Sequence, residues 1–95
     1  MCIRDRYQRG LLYLDFGRVD EAKSDFEAAA KYDSKHIDAR LRIAAILHEG
    51  EDPNAAIIAW RKVLDIDPEH RLARRRLQES SERQEILKVR RYPKD

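Results

Sequence analysis

The chain repeats itself at a spacing of 34 residues, and this repeat constrains the fold more than any other feature of the sequence. Four pairs carry it: Ala22 and Ala56, Phe26 and Trp60, Asp33 and Asp67, and His36 and His70. A partial third copy follows, in which Ala39, Arg40 and Arg42 return as Ala73, Arg74 and Arg76. A fixed period in this range is typical of solenoids, whose units stack on their neighbours to bury a shared core. The repeat therefore predicts a scaffold for binding, with no chemistry of its own.

Composition favours a helical chain with an uneven distribution of charge. Charged residues make up 40% of the 95 residues, and Gly and Pro together occupy six positions. No apolar run approaches the ~20 residues that a membrane-spanning helix needs. Residues 1–70 carry 11 Lys/Arg and 14 Asp/Glu, whereas residues 71–95 carry 9 and 4. The basic end could bind an acidic partner, nucleic acid or anionic lipid, or it could be a solvated helix surface.

Turn and breaker residues divide the chain into five predicted helices, at about 4–16, 19–32, 37–49, 53–66 and 69–90. Gly17 and Gly50 are expected to end the first and third helices. Asp52 followed by Pro53 is a strong start signal for the fourth helix. Because the connections are short, neighbouring helices should be antiparallel. We therefore predict an all-α, antiparallel helix-hairpin solenoid, with repeats at about 3–36 and 37–70, a capping helix at about 69–91, and one domain over residues 1–95.

The spacing of small and aromatic residues resembles the tetratricopeptide repeat. The first unit shows Gly10, Tyr13, Gly17, Ala22, Phe26 and Ala29, and the second shows Ala44, Leu47, Ala56, Trp60, Val63, Asp67 and Pro68. In that family the small residues let two helices approach closely, and the aromatic fills the remaining gap. The resemblance covers about residues 7–77 and departs from the pattern at Arg9, Ser34 and Pro53. The predicted core consists of Gly10, Tyr13, Ala22, Phe26, Ala29, Ala44, Leu47, Ala56, Trp60, Val63, Leu64 and Leu77.

The resemblance also implies a binding groove, because in this family the first helix of each pair lines a concave surface. By that analogy the groove residues are Tyr7, Leu11, Leu14, Leu41, Arg42, Ala45, His48, Arg75, Arg76 and Glu79. Arginine guanidinium groups bind carboxylates through paired hydrogen bonds, so the three arginines favour an acidic ligand. The resemblance thus implies a protein partner, bound as a peptide or helix that has an acidic and an apolar feature.

One subtype of the family grips the C-terminal Glu-Glu-Val-Asp tail of chaperones with Lys, Asn, Asn, Lys and Arg. The matching positions here hold Tyr7, Leu11, Arg42, Leu72 and Arg76. Because only Arg76 agrees with that set, a chaperone tail is not an expected partner.

The sequence predicts neither catalysis nor a cofactor. It contains no Gly-rich phosphate loop and no nucleophile motif, and its histidines lack Cys or His partners at metal-ligand spacing.

Two alternatives to the peptide groove stay open. In one, the basic C-terminal helix, with Arg71 and the run 74–76, contacts nucleic acid or an anionic membrane. In the other, the array is a regulatory appendage of a larger enzyme. The partner, the parent protein and the number of repeats in it stay open.

The first five residues are expected to be foreign to the protein. Met1-Cys2-Ile3-Arg4-Asp5 matches the translation of a sequencing-library adapter, ATG TGT ATA AGA GAC. We therefore expect the natural sequence to begin near Arg6 or Tyr7 and the true N-terminus to be missing. Cys2 is the sole cysteine and cannot form an internal disulfide. Cytoplasm, a reducing compartment, is the default expectation for such a chain.

Overall fold

The computed structural model describes residues 3–91, with side chains over residues 4–89, so that Met1 and Cys2 of the adapter-like segment lie outside it. This part of the chain forms five helices and no strand. They are α1 (Ile3–Asp15), α2 (Val19–Tyr32), α3 (Ile37–His48), α4 (Pro53–Ile66) and α5 (Arg71–Arg91). The all-α helix-hairpin prediction is confirmed.

Three helices differ from prediction by one or two residues at their ends. Helix α1 begins and ends one residue earlier, and α3 ends at His48 instead of residue 49. Helix α5 begins at Arg71 instead of residue 69, because the chain first makes a turn through Pro68 and Glu69. Gly17 follows α1 with a φ of +74°, a left-handed conformation that glycine adopts without steric cost. The amide of Arg18 then bonds to the carbonyl of Tyr13 at 2.8 Å, which closes the end of the helix.

The two joints between repeats are built in the same way. Asp33 Oδ1 accepts a hydrogen bond from the amide of Lys35 at 3.1 Å, and Asp67 Oδ1 accepts one from Glu69 at 3.2 Å. The imidazole Nδ1 of the following histidine then accepts from the first turn of the next helix. His36 takes the amide of Ala39 at 3.1 Å, and His70 takes that of Ala73 at 3.2 Å. The 34-residue repeat thus extends to helix capping, and Ser34 in place of proline leaves this pattern intact.

Each helix packs against the next, in antiparallel order. Gly10 of α1 lies against Phe26 of α2, and Arg9 pairs with Asp25. Residues at about equal distances before and after the turn at Gly17 thus meet, as in an antiparallel hairpin. At the other end, Gln84 late in α5 contacts Asn54 early in α4. Helices α3 and α5 make further contacts across the stack. The result is an elongated array with extents of 56 × 30 × 18 Å, as expected when each unit touches only its neighbours.

The core is built from alanines around two large aromatic side chains. Phe26 and Trp60 occupy equivalent positions in the two repeats and are almost fully buried. Of the residues predicted for the core, eight are buried: Gly10, Ala22, Phe26, Ala29, Ala44, Ala56, Trp60 and Val63. The other four, Tyr13, Leu47, Leu64 and Leu77, are half-buried at its margin. Alanines permit close helix contact, and the aromatics fill the space between the helices.

Pro53 departs from the family pattern without disturbing the second hairpin. It is buried at the first position of α4, where the absence of an amide hydrogen costs no helical bond. The preceding Asp52 caps the helix, because its Oδ1 accepts a hydrogen bond from the amide of Asn54 at 3.0 Å. The start signal for α4 therefore acts as its residue types predict.

Candidate functional site

The residues assigned to the groove by analogy come from α1, α3 and α5, and their exposure differs along the array. Arg42, Ala45 and Arg75 are exposed. The other seven, Tyr7, Leu11, Leu14, Leu41, His48, Arg76 and Glu79, are half-buried. The exposed groups available to a ligand therefore lie mainly on α3 and α5.

The structure brings three of these residues together where α3 meets α5. Glu79 accepts a hydrogen bond from Arg76 at 2.8 Å, and its Oε2 lies 3.5 Å from His48 Nε2. On its other side, His48 Nδ1 lies 3.3 Å from the hydroxyl of Ser80, a fully buried side chain. The imidazole ring also packs edge-on against Trp60, at 6.0 Å between centroids. This polar cluster therefore joins the predicted groove to the core of the second repeat.

The same cluster neutralises the only acid among the groove residues. The hydrogen bond from Arg76 lowers the pKa of Glu79, and the positive charges of Arg76 and Arg75 act in the same direction against the effect of burial. Within residues 4–89, no acidic side chain forms an ion pair with Arg42 or Arg75. This surface therefore carries two exposed guanidinium groups that can receive a ligand carboxylate.

Tyr7 and Leu41 contribute to packing as well as to the predicted groove surface. The ring centroid of Tyr7 lies 5.6 Å from that of Phe26 and 5.1 Å from that of the His36 imidazole. Leu41 packs against the core cluster around Trp60. Packing therefore fixes both side chains within the surface assigned to the groove.

Several basic side chains of α5 already have partners within the chain. Arg83 donates to the carbonyl oxygens of His48 at 3.0 Å and Gly50 at 3.1 Å, and so caps the end of α3. Arg76 pairs with Glu79, and Lys88 pairs with Glu85 at 3.4 Å. Arg74 lies 3.8 Å from Glu69 in an exposed pair. These pairings reduce the free positive charge on which the nucleic-acid and membrane alternatives depend.

The described residues show no cluster of three or more potential metal ligands. Among the helices of residues 3–91, none is both long enough and apolar enough to cross a membrane.

A comparison with known families decides what this array of helices is. Residues 13–78 match the sequence model of a family described as Tetratricopeptide repeat, which covers more than half of the 95 residues. The chain belongs to the tetratricopeptide-repeat family. Repeats of this family serve as protein-interaction modules, and the matched residues include both large aromatic core residues, Phe26 and Trp60.

Three curated relatives of this tetratricopeptide-repeat chain share the name Peroxisomal targeting signal receptor. The protein of Komagataella phaffii is 35% identical over 65 residues, which is 67% of this chain and 11% of the relative. The Candida albicans protein is 35% identical over 68 residues, covering 70% and 12%. The Pichia angusta protein is 33% identical over 70 residues, covering 73% and 12%. The tetratricopeptide-repeat chain thus spans only about a ninth to an eighth of the length of these relatives.

Some residues of structural importance were not predicted from the sequence. Asp25 is buried and holds Arg9, although an acid inside a helix is usually exposed. His36 and His70 act as helix caps, a role that histidine seldom takes. The two histidines recur at the repeat spacing, and each directly precedes the first residue of a helix. This recurrence was the signal that could have identified them as caps.

Proposed function

We propose that this tetratricopeptide-repeat chain binds a peptide of a partner protein along the surface formed by α1, α3 and α5. A general role in protein interaction follows from the family. The observation that supports peptide binding along this surface is the charge arrangement between α3 and α5. Glu79 is paired internally, whereas Arg42 and Arg75 are exposed and have no acidic partner within residues 4–89. A ligand carboxylate would complete this arrangement.

The names of the curated relatives suggest the first ligand to test, because a targeting-signal receptor binds a targeting signal. A C-terminal Ser-Lys-Leu sequence is one such peroxisomal signal. It ends in a free carboxylate beside an apolar side chain, the two features expected of a groove ligand. We therefore propose a short peptide with a free C-terminus as the ligand class.

Fluorescence anisotropy with a labelled peptide that ends in Ser-Lys-Leu tests this proposal. Arg42→Glu and Arg75→Glu should each weaken binding at least about tenfold, because each puts a like charge beside the carboxylate. Amidation of the peptide C-terminus should have a similar effect. Arg61→Glu, an exposed charge reversal on α4, is the matched control and should change affinity less than about twofold.

Two results would count against the peptide groove. One is equal affinity for the free and amidated peptides, because the carboxylate would then have no role. The other is unchanged binding by the Arg42→Glu and Arg75→Glu variants together. Arg76 is a poorer choice for substitution, because its reversal would also break the pair with Glu79.

A further inference from the structure

A second groove lies on another part of the molecule, between α2 and α4. Both helices pack on α3, and the space between them above α3 has a volume of about 480 Å³. Its walls follow single helical stripes, from Lys23 to Lys31 on α2 and from Ala55 to Lys62 on α4. None of the ten residues assigned to the peptide groove lines it. Its volume is within the range of about 300–1,000 Å³ that ligand sites occupy.

The floor and inner walls of this groove are apolar. Ile43 and Leu47 of α3 form the floor, where both are half-buried. Ala30 and Ala59 line the two walls with small side chains, which leave the space open. Ile58 lies on the α4 wall with 55% of its surface exposed, whereas the adjacent Ile57 is buried in the core. The groove therefore offers apolar surface that a ligand could cover.

The rim is strongly basic. Four cationic side chains and one carboxylate line the groove. The carboxylate, Glu27, is paired with Lys23 at 3.8 Å. Lys31 and Lys62 are exposed on opposite walls, and neither forms an ion pair within residues 4–89. Arg40 uses its Nε to bind the carbonyl of Ser34 at 2.8 Å, which fixes the guanidinium beside the groove.

The spread of these charges identifies the kind of ligand. Lys23 and Lys31 are separated by two helical turns, about 12 Å along α2 at 1.5 Å per residue. Lys62 lies on the facing wall. A single anionic headgroup cannot reach charges so far apart, whereas carboxylates on successive turns of a peptide helix can. An apolar stripe between such carboxylates would lie on Ile43, Leu47 and Ile58.

We propose that the groove between α2 and α4 binds an acidic amphipathic segment of a partner protein, separately from the peptide groove. Apolar side chains of that segment cover the floor. Its carboxylates pair with Lys31, Lys62 and Arg40, and with Lys23 two turns away in place of its exposed pair with Glu27. The chain would then have two interaction surfaces of different specificity. One takes a peptide carboxylate through α3 and α5, and the other takes an acidic helix through α2 and α4.

The test uses the 95-residue chain and a labelled, C-terminally amidated peptide of about 15 residues, long enough to span about 22 Å as a helix. One face of the peptide carries leucines flanked by glutamates, and a matched peptide has glutamine in place of glutamate. Amidation excludes binding through a terminal carboxylate. Anisotropy should detect the acidic peptide and show at least about tenfold weaker binding of the glutamine peptide.

Two pairs of variants locate the binding. Lys31→Glu with Lys62→Glu should weaken binding of the acidic peptide at least about tenfold, whereas Arg61→Glu, next to Lys62 but outside the groove, should leave it within about twofold. Ile58→Ser should weaken it several-fold. Ile86→Ser is its control, because Ile86 is exposed to a similar extent, 53% against 55%, but lies on α5. Thermal melts establish that each variant is folded.

Four results would overturn the proposal. The first is no binding of the acidic peptide by the unsubstituted chain. The second is equal weakening by Arg61→Glu, which would indicate general charge attraction. The third is binding to phosphatidylserine vesicles in place of the peptide. Loss of binding by Arg42→Glu with Arg75→Glu would assign the acidic peptide to the other groove and also reject it. Success or failure here is independent of the Ser-Lys-Leu peptide, so the two proposals can be separated.

Discussion

Arg9 donates two hydrogen bonds to the carboxylate of Asp25, from Nε to Oδ2 at 2.8 Å and from Nη2 to Oδ1 at 2.6 Å. The two residues join α1 to α2 directly beside the contact between Gly10 and Phe26. The hydrogen bonds that Arg9 donates to Asp25 raise the pKa of Arg9 above its ordinary value, although burial opposes this. The side chain of Asp25 is only 5% exposed, whereas that of Arg9 is 43% exposed. The two partners therefore respond differently to substitution.

Arg9→Leu should lower the free energy of unfolding, because it leaves the carboxylate of Asp25 buried without its partner. Urea denaturation followed by circular dichroism measures this. The double variant with Asp25→Ala removes both charges and should recover at least about half of the loss. If the double variant were as unstable as the sum of the single ones, the pair would not be coupled.

Gly10→Ala should destabilise the chain by about 1–3 kcal/mol through overpacking. A Cβ at this position would lie 2.6 Å from Cε1 of Phe26, too close for two carbon atoms. The cost should shrink in a Phe26→Leu background, where the ring is absent. Gly17→Ala is the control: its Cβ meets no atom within 4 Å, but its φ of +74° is strained. Its cost of about 1–2 kcal/mol should not depend on Phe26.

Trp60→Ala should cost about 3–5 kcal/mol, which removes most of the stability expected of a small domain. The indole is 2% exposed and fills the core of the second repeat. Its Nε1 has no hydrogen-bond partner within the described residues, so Trp60→Phe loses volume alone and should cost less. Ile58→Ala on the same helix is the exposed control, with an expected change below about 0.5 kcal/mol. A thermal melt of Trp60→Ala like that of the unsubstituted chain would contradict the burial.

His36→Ala and His70→Ala should each destabilise the chain by about 1 kcal/mol, because each removes the acceptor that caps the next helix. The change at His36 should cost more, since its ring also packs against Tyr7. Asparagine is a better helix cap than alanine, so His70→Asn should retain the unsubstituted stability. Thermal melts of the three single variants compare these effects. Equal loss for His70→Asn and His70→Ala would show that capping is not the role of the imidazole.

Glu79→Gln should alter how stability depends on acid. The hydrogen bond from Arg76 lowers the pKa of Glu79 in the folded chain. The unfolded chain therefore takes up this proton first, at the ordinary glutamate pKa of about 4.3. The ionised pair stabilises the fold above that pH, and its contribution is lost as pH falls through the lower, folded pKa. Melting temperatures of the two proteins should differ at pH 7 and converge as the pH falls from the ordinary glutamate pKa through the lower, folded value. A constant difference across that range would exclude this linkage.

The fold could be predicted because the repeated residues are those that pack. Phe26 and Trp60 each lie on an apolar helical stripe, and small residues recur around them, so the pattern specifies which faces meet. Asp25 escaped this reasoning because charge within an amphipathic helix normally indicates solvent. Only the antiparallel alignment of α1 and α2 about Gly17 brings it to Arg9, the residue that departs from the family pattern.

The binding surfaces were less accessible to sequence reasoning. Exposed positions such as Arg42 and Arg75 carry no packing constraint, so their residue types say little about their neighbours. The internal pairing of Glu79, which leaves these arginines as the free charges, depends on the contact of α3 with α5. The second groove is similar: Lys31 and Lys62 read as ordinary surface lysines until α3 places their helices on either side of one space.

The two hydrogen bonds from Arg83 to the end of α3 have a consequence for how the array unfolds. The carbonyl groups that they satisfy belong to residues 33 and 35 positions earlier in the chain. The second repeat is therefore incomplete until α5 has docked, and fraying of α5 would spread into α3. In a linear array each unit contacts only its neighbours, so such hydrogen bonds couple the unfolding of adjacent units. Truncation before α5 should thus broaden the melting transition as well as lower its midpoint.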